Sequence, residues 1–119
     1  MPGPTTILKN NLLDHARTAQ LLWIGLVDEN GVELSGGEAE YEYARVAITW
    51  TAPNAQNEIY PVESPVINVP GDTTVLGWRN YTAQTGGSDL GGKNFVSPPT
   101  FSGQGTLLLD RDQMGWRFV

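Results

Sequence analysis

Few side chains in this sequence stand where chemistry could be done. His15 is the only histidine, and beside Asp14 it has the makings of a carboxylate-oriented general base. A lone histidine in a helical stretch is far more often a structural or surface residue. Glu38, Glu40 and Glu42 alternate with Ala39, Tyr41 and Tyr43, but a calcium loop needs another ligand order, a glycine at its sixth place and a closing glutamate. They read as a solvated acidic loop. Asp110-Arg111-Asp112 has the paired acids of a metal-dependent glycosyltransferase without room for the nucleotide-binding domain that motif requires, and it reads as a turn. The glycine-rich run from Thr85 to Gly92 lacks the Gly-Lys-Ser/Thr ending of a phosphate loop. There is no cysteine, hence no thiolate nucleophile, disulfide or Cys-ligated zinc, and no Gly-x-Ser-x-Gly elbow. A paired-carboxylate glycosidase would want a larger scaffold for its cleft. This inventory points away from an enzyme and assigns no catalytic residue, metal or cofactor.

The elements that would position these residues are mostly strands. From Tyr43 to Ala52 the chain alternates strictly, with Ala44, Val46, Ile48, Trp50 and Ala52 on one side and Tyr43, Arg45, Ala47, Thr49 and Thr51 on the other, which predicts a central strand with one buried face. Gln20 to Val27 is nearly continuous apolar sequence and should be buried on both faces or pack under the helix. It runs into Asp28-Glu29-Asn30-Gly31, a hairpin turn, with Val32 to Leu34 as the return strand. Thr73 to Thr82 alternates again, and Gly77 within it marks a bulge or the close approach of another backbone. Pro61 and Pro65 make the stretch from Glu58 to Val69 read as edge strands. The one convincing helix runs from Thr6 to Ala16, capped by Thr5 or Thr6, with Leu8, Leu12 and Ala16 as its apolar stripe and Ile7 beside them.

At 119 residues the chain is about one domain with one hydrophobic core. The expected organisation is an extended N-terminal arm over residues 1–5, stiffened by Pro2 and Pro4, and a single domain over residues 6–119. That domain is mainly β, a small antiparallel β-sandwich with one short N-terminal helix. Seven Lys and Arg against thirteen Asp and Glu leave a net charge of −6, which removes the attraction that supports non-specific nucleic-acid binding. No apolar run reaches the length of about 20 residues that spans a bilayer. Neither nucleic acid nor membrane is an expected partner.

Several segments, taken in order, resemble a group of small tailed-phage virion proteins known as tail-fibre-like or minor structural proteins. They are Asn11-Leu12-Leu13-Asp14-His15, Ile24-Gly25-Leu26, Gly37-Glu38 leading to Tyr43-Ala44-Arg45-Val46, Thr73-Thr74-Val75-Leu76-Gly77-Trp78, Gly86-Gly87, and Pro99-Thr100-Phe101. The acidic Glu38 to Glu42 insertion and the proline-rich Tyr60 to Pro70 stretch depart from that pattern. The resemblance implies a β-sandwich that is made in the host cytoplasm, assembles on a virion and performs no chemistry. It leaves head or tail open.

No heptad or repeated β element is present to project a fibre tip, so the compact body with a short arm favours a capsid decoration protein. Such a protein would bind the head surface, reinforce joints between major capsid subunits, and form a homo-oligomer, expected to be a trimer on three-fold lattice sites. A tail fibre, tail-tip or baseplate component is the alternative. A carbohydrate-binding module using Trp23, Trp50, Trp78 and Trp116 is a further one, although all but Trp116 lie in strands where core packing is the commoner fate. Pro2, Gly3, Pro4 and Thr5 are the expected attachment residues, and Pro61, Pro65, Trp116 and Phe118 the expected oligomer or edge contacts.

Overall fold

A computed structural model describes residues 5–117 of the chain. Its helix α1 (Thr6–Ala19) starts where the Thr5 hydroxyl accepts the Leu8 backbone N–H at 3.2 Å, satisfying one of the donors that a helix start leaves unpaired. It runs three residues past the expected Ala16. Its buried face also differs from the expected stripe. Leu13 and Ala16 pack against Trp50 and Ile59, while Leu8 and Leu12 remain 48% and 44% exposed and Ile7 75%. The body offers α1 only a narrow patch, and the row Leu13, Ala16, Arg17, spaced by three and four residues, is the one aimed at it. Arg17 ties that row down by donating to the Trp50 carbonyl at 3.4 Å.

Nine strands follow among the described residues: β1 (Trp23–Asp28), β2 (Val46–Ala47), β3 (Glu58–Ile59), β4 (Val66–Val69), β5 (Thr73–Tyr81), β6 (Asp89–Asn94), β7 (Thr100–Phe101), β8 (Gly105–Leu108) and β9 (Trp116–Arg117). The main sheet has the order β2-β1-β5-β6, with β7 joining the start of β5; β3 pairs with β9 and β4 with β8. All these pairings are antiparallel. The protein is therefore a mainly β fold with one helix near its N-terminus and antiparallel sheets packed face to face. Ile24 and Leu26 of β1, Val75 and Trp78 of β5, and Ile67 and Val69 of β4 meet in one core with Leu109 and Met114.

The centre of the sheet is β5, not the stretch from Tyr43 to Ala52. Of that stretch only Val46 and Ala47 join the ladder, at the sheet edge against Ile24 and Trp23. The cause is a change of partner along one extended segment. Ile48 donates to the Leu22 carbonyl on one side, whereas Thr49 accepts from Val62 and Thr51 donates to Tyr60 on the other. The alternation survives where it matters for packing: Trp50 is 2% exposed and donates its indole N–H to the Leu21 carbonyl at 2.7 Å, while Ala47 and Thr49 face solvent.

Strand β1 is buried on both faces, as its apolar run predicts. Gly77 shows both features expected of it. The β1–β5 register skips Leu76 beside it, and a Cβ at Gly77 would overlap the Lys93 carbonyl oxygen and lie 2.7 Å from Asn94 Cα. Replacing Gly77 with Ala should therefore destabilise the fold by about 1–3 kcal/mol, the usual cost of overpacking. Urea unfolding of both proteins measures this, and a variant as stable as the parent would show that β6 can shift away.

Candidate functional site

The most densely bonded polar cluster forms where the chain returns from the first hairpin. Asp28 accepts the N–H groups of Asn30 and Val32 on one carboxylate oxygen at 2.8 and 3.0 Å, Gly31 takes the positive φ of 78° that the turn requires, and Glu33 bridges back to Val27. This puts the Glu33 carboxylate over Gly25, where a Cβ would overlap the Tyr43 hydroxyl and come within 2.9 Å of Tyr81 Cε2. Only glycine leaves room for that hydroxyl. Tyr43 donates to Glu33 Oε2 at 2.6 Å and accepts the Leu26 N–H at 3.1 Å.

Arg45 completes the cluster. Its guanidinium grips Glu33 with two bonds of 2.8 and 2.7 Å, donates through Nη1 to the carbonyls of Ala83 and Gly86 at 2.8 and 2.7 Å, and lies 3.6 Å from the centre of the Tyr81 ring. Such a planar fork suits bidentate pairing and aromatic stacking at once. Burial alone would raise the Glu33 carboxyl, but the hydrogen bonds from Arg45 and Tyr43 and the charge of Arg45 outweigh it and hold the group below the ordinary carboxylate value. Burial, then the bond to Glu33, pushes the Tyr43 phenol up, so it stays a neutral donor; burial likewise takes Tyr81 to about 12. A cleft of about 290 Å³ between Glu33, Arg45 and the Gln84 to Gly86 loop opens beside the cluster. Glu33, Tyr43 and Arg45 on its wall are already spent on one another and on backbone, so the arrangement clamps a loop.

A second, larger concavity of about 550 Å³ lies between Val46 to Thr49 and Val62 to Val66. The two segments touch where Val62 donates to the Thr49 carbonyl at 2.8 Å and part from there. Val46, Ile48, Val62, Pro65 and Val66 give apolar walls, and Glu63 is the one charged residue lining it. Outside the rim, Leu108 stands opposite Val66 on β8 and is 63% exposed.

The residues expected from sequence to do chemistry are scattered. Asp14 is bound by Arg17 at 2.6 Å on exposed helix surface beside His15. Glu38, Glu40 and Glu42 are exposed loop residues, and Asp110 caps a short turn in which Arg111 pairs with Asp112 at 2.8 Å. Among the described residues no group of three His, Cys, Asp or Glu could hold a metal ion. Of the expected contact residues, Thr5 is the helix cap, while Pro2, Gly3, Pro4 and Phe118 lie outside the described residues. Pro61 and Pro65 are buried in the chain's own fold, their carbonyls accepting from Arg111 at 2.6 Å and from Leu109 at 2.9 Å. Trp116 is half-buried edge-on to Trp78, with centroids 6.4 Å apart, and donates to the fully buried Asn80 at 2.7 Å. The cluster around Arg45 was missed from sequence because its members are separated by long loops. Its one signal was a lone cation on the polar side of an otherwise uncharged strand. No family model, no curated protein and no solved structure matches the chain.

Two outcomes follow for the clamp. Arg45→Met leaves Glu33 without its partner and frees two loop carbonyls, which should cost about 3 kcal/mol and speed amide exchange across Thr82 to Ser88, read by exchange mass spectrometry. Glu33 has a folded-state pKa below its unfolded value, so its contribution is complete above the ordinary carboxylate pKa of about 4.3 and fades as pH falls through the lowered folded value. Between about pH 5 and pH 3 the parent should lose more stability than Glu33→Gln in denaturant titrations; parallel losses would remove Glu33 as a source of acid sensitivity.

Proposed function

We propose that the protein is a non-enzymatic structural component of a tailed-phage virion, a decoration protein that sits on the head and reinforces joints between major capsid subunits. The observation that carries this reading is the convergence of the segments on which the resemblance rests. Tyr43 lies over Gly25 and bonds to Leu26, Arg45 bonds to Gly86, and Val46 pairs with Ile24, so pieces far apart in sequence meet in one clamp. Thr73 to Trp78 forms most of β5, and the Pro99 carbonyl accepts the Val75 N–H at 2.9 Å. The shared residues are thus a frame, suited to a module whose work is to hold a shape on a larger assembly. An open apolar groove also fits docking better than catalysis, since its polar side chains are one carboxylate and the hydroxyls of Thr49 and Ser64, the latter already taking the Arg111 N–H. Trp50 and Trp78 are 2% and 4% exposed, which takes two of the four tryptophans away from any stacking platform for sugars.

Purified protein mixed with phage heads, and separately with tails, from particles lacking it should saturate the heads at copy numbers in multiples of three. Sedimentation of the free protein should give a trimer. His15→Ala should bind as the parent does. Binding to tails alone would move the protein to the tail, and binding to neither would overturn the virion reading.

A further inference from the structure

We infer that the groove between Val46 to Thr49 and Val62 to Val66 receives a detached, extended segment of a partner protein, apolar and β-branched with one basic side chain, which adds as a strand between two open sheet edges. On the virion reading, that partner is the shell protein. The inference starts from backbone accounting. Ile48 spends its N–H on the Leu22 carbonyl of the neighbouring strand at 3.1 Å. Backbone groups of consecutive residues in an antiparallel pair point alternately to either side, so the N–H and C=O of Ala47 face away from β1. Strand β2 has no other neighbour in its sheet. On the opposite wall, Leu109 donates to Pro65, so alternation turns the N–H and C=O of Val66 away from β8, and β4 likewise has no second neighbour. Both open edges line the same cavity.

Unpaired strand edges bind extended peptides through main-chain bonds, and side-chain pockets set the choice of sequence. The Val46 to Thr49 wall is about 13 Å long at about 3.3 Å per residue, enough for roughly four extended residues. Val62 and Val66, each 52% exposed, form an apolar rim that would cover side chains on the outer face of such a strand, and Leu108 stands just outside it, opposite Val66. Glu63 is exposed and forms no salt bridge among the described residues, so a Lys or Arg on the incoming segment would meet an unengaged carboxylate. The occupant must be free along both edges. Each described strand of this chain already gives at least one edge to a neighbour, so the described strands of a second copy cannot supply it, and the occupant inferred is a terminal arm or loop of another protein.

The test uses the full chain and a synthetic peptide of roughly seven residues that alternates valine with threonine and carries one central lysine. Fluorescence anisotropy should show saturable binding. Val66→Asp on the rim and Ala47→Pro, which removes an outward N–H, should each weaken it about tenfold or more, or about 1.4 kcal/mol. Glu63→Lys should weaken it less and mainly at low salt, and Ile7→Asp, on the outer face of α1, should leave it unchanged. Should Ala47→Pro fail to fold, the exposed Val66 and Glu63 variants carry the result. The same proteins are then offered to heads lacking this component. Equal peptide binding by the parent and by Val66→Asp, or no saturable binding up to about 1 mM, overturns the inference. Heads that take up the groove variants as readily as the parent overturn it too, while leaving the virion reading intact. Heads that refuse the parent, with groove-dependent peptide binding retained, sink the head-decoration reading and leave the inference standing. Self-association abolished by Val66→Asp would make a second copy the occupant and overturn the assignment to a partner.

Discussion

The fold turns on the Arg45 guanidinium. It bonds at once to the segment after the first hairpin through Glu33, to the loop after β5 through Ala83 and Gly86, and to the end of β5 through the Tyr81 ring. The Arg45 side chain is only 9% exposed, so a charge has been drawn largely out of water and must be compensated in full. An aromatic face, a bidentate carboxylate and two carbonyls provide that compensation, and a partial set would not. The strict geometry fixes where the segment before β2 crosses the sheet. That crossing in turn sets where β2 ends and where the chain must change partner.

This dependence explains which parts of the sequence were legible. Strands β1 and β5 could be read because apolar patterning reports burial, and burial for Ile24, Leu26, Val75 and Trp78 comes from one continuous core. The stretch from Tyr43 to Ala52 shows the limit of the same signal. Alternation reports that a segment is extended and has an inner face, and Trp50 honours it; it carries no information about which neighbour bonds to which edge. A segment shared between β1 and the Tyr60 to Val62 stretch therefore looks like one central strand. The helix failed for a related reason: Leu8 and Leu12 form a legitimate stripe, but the row that is used was decided by the small patch of Trp50 and Ile59, which exists only after folding. The Glu33–Arg45 pair was illegible because it joins two loops and leaves no period behind it.

The glycines that could be interpreted were those facing another chain segment. Gly77 was expected to mark a bulge or a close approach, and it stands at both. Gly25 sat unremarked in an apolar run, although its missing side chain admits the Tyr43 hydroxyl. The difference is one of range: Gly77 interrupts an alternation, a local pattern, whereas the need for Gly25 comes from a tyrosine 18 positions later. Buried polar residues follow the same rule. Asn80 is wholly enclosed and holds the indole of Trp116 and the carbonyl of Trp23, and nothing near it in sequence names those partners.

Open edges are a hazard for any β protein, since they template pairing with whatever strand arrives first. The groove carries the usual protections against such pairing, but in a form that keeps it accessible. Strand β2 is two residues long and too short to nucleate a sheet alone. Pro61 and Pro65 bracket the opposite wall and have no N–H to offer, and Glu63 between them puts a charge where a flat hydrophobic edge would otherwise lie. Another sheet edge, rigid and attached along one side, cannot enter a wedge that closes at the Thr49–Val62 contact. A free segment can enter and bond along both walls. The features that prevent indiscriminate edge-to-edge association are therefore the ones that favour a detached strand over a second sheet edge.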